Sequence, residues 1–305
     1  MGTTRMAPSS WSTYASKHID HKSTSHIYSS VHLNKDLDPK NINRESVDSE
    51  LNPNSNAIII GLDVTGSMDP VLDSMVRSVG KLFEELYSRK PVTDPHVMFM
   101  GIGDVRMHDH APLQVTQFES DIVLVDQLTK VYLERGGGGN SFESYILAWY
   151  MAALHTDIDC FSKRNKKGYL FTIGDEQITP DLTSEEINRI IGDNPQTGFT
   201  AQELLSMVSQ RYEVFHLMVE QGNHMRYNKD AVVKSWVEVL GQRAILLTDH
   251  TKLSEVIIST IQMNEGIDKD TIVKSWDGST GVVVSAALKD MTPGAVVTDN
   301  IVEFS

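Results

Sequence analysis

Cysteine is almost absent from this chain: Cys160 stands alone among 305 residues. A single thiol excludes an internal disulfide framework and any cysteine-rich zinc site, and a reducing compartment is the simpler expectation. Long apolar runs are also missing. No segment approaches the roughly 20 apolar residues that cross a bilayer. Residues 1–30, rich in Ser and His, lack the apolar centre of a signal peptide. Met1-Gly2 starts like a myristoylation site, but Met6 stands where that pattern wants Ser or Thr. The reading is a cytoplasmic protein with no membrane association. Positive charge is in deficit, 27 Lys+Arg against 41 Asp+Glu, for a net charge of −14. Residues 1–50 carry six of each sign, so the acidity belongs to residues 51–305. Such a surface disfavours nucleic acid, whose sequence-blind binding relies on neutralising phosphates. No Gly-Lys-Ser/Thr comes after the glycine run at 136–139, so a P-loop is unsupported. No Gly-x-Ser-x-Gly elbow and no solenoid-length repeat occur.

What is present divides the chain in three. Residues 1–51 form a polar arm without sustained periodicity, read as a solvated, disordered leader. Trp11, Tyr14, Ile27, Tyr28 and Val31 offer anchors for the rival reading, an arm that packs on a neighbour. The turn cluster Asn52–Asn56 opens the main domain, 52–263. Ala57–Leu62 is unbroken in its apolarity and reads as a strand buried on both faces. Asp69-Pro70 opens a helix in which Val71, Met75, Val79, Leu82 and Leu86 recur at helical spacing. Further strands are expected at His96–Ile102, Leu113–Phe118, Tyr169–Ile173, Glu213–Met218 and Ala244–Leu247. Helices are expected near Asp121–Tyr132, Ser144–His155, Ser184–Ile191, Ala201–Arg211, Asp230–Leu240 and Leu253–Met263. This alternation predicts an α/β fold: a doubly wound, mostly parallel six-stranded sheet with helices on both faces. Ligands of such sheets gather beyond the carboxyl ends of the strands. Residues 264–305 form an extension packing on the domain or a neighbour, with Gly281–Leu288 as a short strand or clasp. The arm and the extension are the segments through which the chain would self-associate.

The chemistry concentrates where the first strand ends. Asp63-Val64-Thr65-Gly66-Ser67 sets one carboxylate and two hydroxyls on a tight turn. Hard oxygen ligands at a strand tip suit a divalent cation such as Mg²⁺. Gly174-Asp175-Glu176 comes directly after the strand at 169–173, so its carboxylates lie at a strand's carboxyl end. Asp104 ends the second strand and should emerge there too. Asp104, His108, Asp109 and His110 offer either a second metal site or, the favoured reading, a polar surface loop with Asp104 as a supporting partner.

These blocks resemble the von Willebrand factor A (VWA) domain family, over roughly residues 57–263. Asp63-x-Thr65-x-Ser67 matches the first signature of its metal-ion-dependent adhesion site (MIDAS), and Asp175 stands at the later aspartate. The resemblance implies a Rossmann-like fold in which Thr65 and Ser67 touch the metal directly and Asp63 acts through water. It implies Mg²⁺ as cofactor, with Mn²⁺ or Ca²⁺ as substitutes. The family's loop threonine is missing here. Its loop reads Gly136-Gly137-Gly138-Gly139-Asn140-Ser141-Phe142-Glu143, so Asn140, Ser141, Glu143 or a glycine carbonyl must stand in. Glu176 joins Asp104 as a ligand or supporting group. Gly101-Ile102-Gly103-Asp104, Ala111–Glu119 and the run through Tyr150 are similar to a bacterial and phage-encoded group of intracellular VWA proteins. The function this implies is a metal-dependent protein-binding module rather than an enzyme, the ion bridging to an acidic residue of a protein partner. The alternatives are metal-dependent hydrolysis using the same ion, and a structural, self-assembling role.

Overall fold

The computed structural model describes residues 4–107, 109–134 and 140–293, apart from the side chains of Pro8 and Ser67. Helix α1 (Pro8–His18) lies in the leader, ahead of strand β1 (Asn56–Asp63) and helix α2 (Asp69–Arg89). Strands β2 (Pro95–Ile102) and β3 (Leu113–Val115) precede helices α3 (Val123–Leu128) and α4 (Tyr145–Leu154). Strand β4 (Gly168–Gly174) leads to helices α5 (Ser184–Ile190) and α6 (Ala201–Val208), then strand β5 (Tyr212–Val219). Helix α7 (Asn223–Leu240), strand β6 (Ala244–Leu247) and helices α8 (Leu253–Asn264), α9 (Lys269–Lys274) and α10 (Gly278–Ala287) complete the main elements.

Six strands form one sheet in the order β6-β5-β4-β1-β2-β3. All neighbours are parallel except β3, which runs antiparallel to β2 at the edge. The six-stranded, mostly parallel sheet expected from the sequence is therefore present. Every residue of β1 is buried, which explains its uninterrupted apolarity: both of its faces are covered. Ile58, Ile60 and Leu62 enter one core with Val71, Leu72, Met75 and Val79 of α2 and Val256 and Ile257 of α8. Ala57 and Ile59 enter the other, with Tyr145 and Trp149 of α4 and Trp236 of α7. The apolar stripe expected on α2 is the stripe it buries.

The chain runs outward from β1 through β2 and β3, then returns to lay β4 on the opposite side of β1. The strand order thus reverses between β1 and β4, the position at which open α/β sheets form a crevice beyond the carboxyl ends of their strands. Leu62 pairs with Ile173, so Asp63 and the Gly174-Asp175 pair leave the sheet side by side.

Several boundaries differ from the sequence reading. The helix expected over Asp121–Tyr132 is shorter, Val123–Leu128. Helix α7 begins at Asn223 rather than Asp230 and kinks at Asn228, where φ is −129°. Gly281–Leu288 is no strand: Gly278–Ala287 is a helix. Its valines satisfy β propensity locally, but Val283, Val284 and Ala287 recur on one side and reach the core, while Val282 stays exposed.

The leader is not a solvated tail. Met6, Ala15, Ile19, Ile27, Tyr28 and Leu37 are buried in the core that covers α2. The Tyr28 hydroxyl donates to the Leu72 carbonyl. Arg44–Ser46 pairs in parallel with Thr156–Ile158. Sparse anchors in a polar background carry no period, which is why the pattern reads as disorder. Among the described residues no helix is long and apolar enough to cross a membrane.

Asp48 fastens the end of this leader. Its carboxylate accepts from Arg164 Nη1 and Nη2, at 2.8 and 3.1 Å, and from the Ser55 amide and hydroxyl. Burial pushes its pKa up, but the Arg164 and Ser55 hydrogen bonds outweigh that and hold it well below the usual carboxylate range. A depressed folded pKa adds stability above the unfolded value, about 4, that is lost as pH falls. Asp48→Asn should therefore cost about 1–3 kcal/mol at pH 7. In urea melts the gap to wild type should shrink steadily below about pH 4. A gap unchanged down to pH 2 would refute this account.

Candidate functional site

The end of β1 folds back on itself. The Thr65 amide donates to Asp63 Oδ1 at 2.8 Å, and the Thr65 hydroxyl donates to the same oxygen at 2.7 Å. This is a short-range turn of the kind Asp favours. The hydroxyl hydrogen is spent on Asp63, so the lone pairs of Thr65 Oγ1 remain for another partner. Gly66–Met68 forms a single tight helical turn that leads into α2 and carries the Ser67 backbone. The Ser67 side chain lies outside the described atoms.

At the end of β4, Asp175 is fully buried. Its Oδ2 accepts from the His224 amide at 2.8 Å. That amide belongs to the first turn of α7, where unpaired backbone N–H groups favour an anion. Gly222 makes the approach feasible, since a methyl group there would overlap the Asp175 side chain. Asp63 and Asp175 are each a near neighbour of the other, and that proximity raises the Asp63 pKa.

Helix α4 supplies the third wall. Glu143 and Ser144 lead into it, and Tyr145 opens it. The Tyr145 hydroxyl donates to Asp63 Oδ2 at 3.1 Å. Phe142–Glu143 pairs in parallel with Gln177–Ile178, tying this segment to the chain just after Glu176. Asp104 Oδ2 accepts from the Asn140 side chain, and Oδ1 from the Arg106 amide at 2.8 Å and the Ser144 hydroxyl at 3.3 Å. Ser141 takes part through its carbonyl, which accepts from the Gln177 amide at 3.2 Å.

The carboxylates raise one another. Burial and then Asp175 lift Asp63 to about 7. Burial, then Asp63 and Asp175, lift Glu176 to about 8. Burial, Asp63 and Glu176 lift Glu143 to about 12. Asp109 is raised by burial, Glu134 and Asp104, against the pull of the Asp104 amide. The Tyr145 hydroxyl is held well above its ordinary value by burial and the charge of Asp63, so it stays a donor. Oε2 of Glu143 and Oε2 of Glu176 are buried and accept no hydrogen bond among the described residues. A buried polar oxygen left unpaired is costly, and more so when charged, which is why both carboxyls hold their protons.

The structure thus brings Asp63, Thr65, Asp175, Glu143 and Glu176 to one crevice, with Asp104 and Asn140 bracing its edge. The glycines 136–139 and His108 lie outside the described residues. His110 turns instead toward Glu134, 3.6 Å away, and Asp109 accepts from the Asp104 amide. Among the described residues no three His, Cys, Asp or Glu side chains converge closely enough to hold a metal on their own. The expected set differs in kind, since it combines two carboxylates with two hydroxyls. Among the described residues Asp63, Thr65, Asp175, Glu143 and Glu176 offer oxygen ligands, the kind a hard divalent cation takes.

Sequence reasoning missed Tyr145, Gly222 and the His224 amide. Tyr145 comes right after Glu143-Ser144 at a helix start, which is the available signal. A backbone amide has no side-chain signature at all.

A raised pKa makes a stability prediction. Asp63 binds its proton more tightly when folded, so the metal-free fold loses stability as pH climbs from about 4 through about 7. Asp63→Asn keeps the shape and removes the charge. In EDTA at pH 8 it should be more stable than wild type by on the order of 1–3 kcal/mol, with the gain vanishing near pH 4. Thermal melts at the two pH values check this; a less stable Asp63→Asn at pH 8 would contradict it.

No protein-family model and no curated protein matches the chain. Among solved structures it is similar to the open conformation of the pilus adhesin SpaC from Lactobacillus rhamnosus GG, at 8% identity and a TM-score of 0.44. That match covers 74% of this chain and 31% of the adhesin, so the chain spans about a third of that protein's length. A second form of SpaC matches at 8% identity and a TM-score of 0.43, covering 74% and 32%. The conserved hypothetical protein BatB from Bacteroides thetaiotaomicron matches at 16% identity and a TM-score of 0.31, covering 54% of this chain and 66% of BatB. Scores this low leave the reading of the site to its own residues.

Proposed function

We propose that this chain is a divalent-cation-dependent protein-binding module of the VWA type, with its ion at the β1–β4 crevice. The supporting observation is the register that sets Asp63 beside Gly174-Asp175, two buried carboxylates at adjacent strand ends. Buried like charges at that spacing call for a counter-charge. Thr65 and Ser67 would hold the ion through their hydroxyls, with Asp63 and Asp175 balancing its charge. Asn140, Ser141, Glu143, Glu176 and Asp104 stand around it. Mg²⁺ is the ion of choice, and Mn²⁺ or Ca²⁺ would substitute.

A cation held partly by neutral hydroxyls keeps affinity for a further oxygen ligand. An acidic residue of a protein partner would supply it, so that the metal joins the two proteins. The rival reading, metal-assisted hydrolysis, would use the same ion as Lewis acid and draw its base from Asp104, Glu143, Asp175, Glu176 or His108. A cytoplasmic setting belongs to the same proposal.

Calorimetry with MgCl₂ and MnCl₂ at millimolar dose tests the ion. Wild type should take up one equivalent, and Asp63→Ala/Asp175→Ala should lose uptake at least tenfold while remaining folded by circular dichroism. A partner isolated with Mg²⁺ should be released by EDTA and ignored by the double variant. Turnover of a chromogenic phosphoester by wild type alone would instead favour the hydrolase, and no uptake of either ion would end the proposal.

A further inference from the structure

The proposed ion needs Asp63 held in one orientation, and among the described residues the local turn reaches one of its two oxygens. Thr65 occupies Oδ1 through its amide and hydroxyl. Nothing on the same loop reaches Oδ2 among the described residues. That oxygen is met from another element, by the Tyr145 hydroxyl at 3.1 Å. The Tyr145 ring is fully buried and packs edge-on against His216 and Trp236, with centroids 5.0 and 5.3 Å away. His216 and Trp236 stack face to face at 3.4 Å. Trp236 Nε1 in turn donates to the Glu176 carbonyl at 2.9 Å, and the His216 ring is fixed by the Thr172 hydroxyl at 2.9 Å. The Tyr145 ring therefore has no room to swing. Gly174 completes the seat, because any side chain there would occupy the space of the Tyr145 hydroxyl.

From this geometry we infer that Tyr145 is the positioning residue of the proposed cation site, locking Asp63 from the side opposite Thr65 and tying the β1 tip to the β4 tip. This rests on the cation reading above. Freed of Tyr145, the Asp63 carboxylate is held against turning about its last torsion, among the described residues, by the two Thr65 bonds to Oδ1 alone. The Thr65 hydroxyl, which donates to it, then loses its fixed direction. Groups that orient a metal's ligands typically contribute 10- to 100-fold to its affinity.

The test uses the full chain. Tyr145→Phe removes the hydroxyl and keeps the ring. Trp149→Phe is the control, since it trims the same aromatic cluster without touching Asp63. By calorimetry with MnCl₂, Tyr145→Phe should bind about 10- to 100-fold more weakly than wild type, and Trp149→Phe within about threefold. Equal weakening in both variants would reduce Tyr145 to a packing residue and overturn the inference. Wild-type affinity in Tyr145→Phe would overturn it while leaving the cation reading intact. No uptake by wild type would overturn both. Should Tyr145→Phe not fold, wild type labelled with ¹³C at the tyrosine ring carbon bearing oxygen decides. On adding MgCl₂ the Tyr145 signal should shift, while that of Tyr212, whose hydroxyl pairs with Thr156 at 2.7 Å, should stay. An unmoved Tyr145 signal at saturating Mg²⁺ overturns the inference.

Discussion

Two buried carboxylates side by side are the constraint on which the rest of this structure turns. The pairing of Leu62 with Ile173 leaves no choice about where Asp63 and Asp175 emerge. A one-residue slip would exchange the faces of every side chain in β1 and send its isoleucines to the wrong cores. Hydrophobic burial, summed over two helical layers, therefore sets a local electrostatic cost that no isolated loop would accept. The pKa values of Asp63, Glu176 and Glu143 are raised by that same burial and crowding of carboxylates.

The surroundings are arranged to bear it. Asp175 faces the amide end of α7 through a gap that only glycine leaves open. Among the described residues Asp63 takes three hydrogen bonds, two from Thr65 and one from Tyr145. Asp104 is held by Asn140, Arg106 and Ser144. These donors come from several different connections between strands, so the crevice exists only once the sheet has assembled. Glu143 and Glu176 receive no comparable help at Oε2 among the described residues. Sites that depart from full satisfaction in this way are where function is to be sought.

Much of the scaffold is legible in the sequence. Val71, Met75, Val79, Leu82 and Leu86 announce α2 because a buried helix face repeats every 3.6 residues. Ala57–Leu62 announces a central strand because both its faces must be apolar. The leader is illegible because Met6, Ile19, Ile27 and Tyr28 are isolated anchors without a period, and the groove that receives them is built by α2. The segment at 281–288 misleads because its β-branched residues suggest a strand until the helices that cover them are known. Both failures concern packing partners on other elements: for the leader these lie far away in sequence, and for 281–288 they are the preceding α8, α9 and β6.

By itself the sequence determined the alternation of strands and helices, the oxygen chemistry of the Asp63–Ser67 turn, and the scarcity of cysteine and of membrane-spanning apolar runs. Those depend on residue type and local spacing. Only the tertiary structure decided that Asp63 and Asp175 are neighbours, that Tyr145 reaches Asp63, and that the His224 amide faces Asp175. Strand order, register and the seating of one helix on another are settled by contacts between segments far apart in the chain, and no local pattern encodes them.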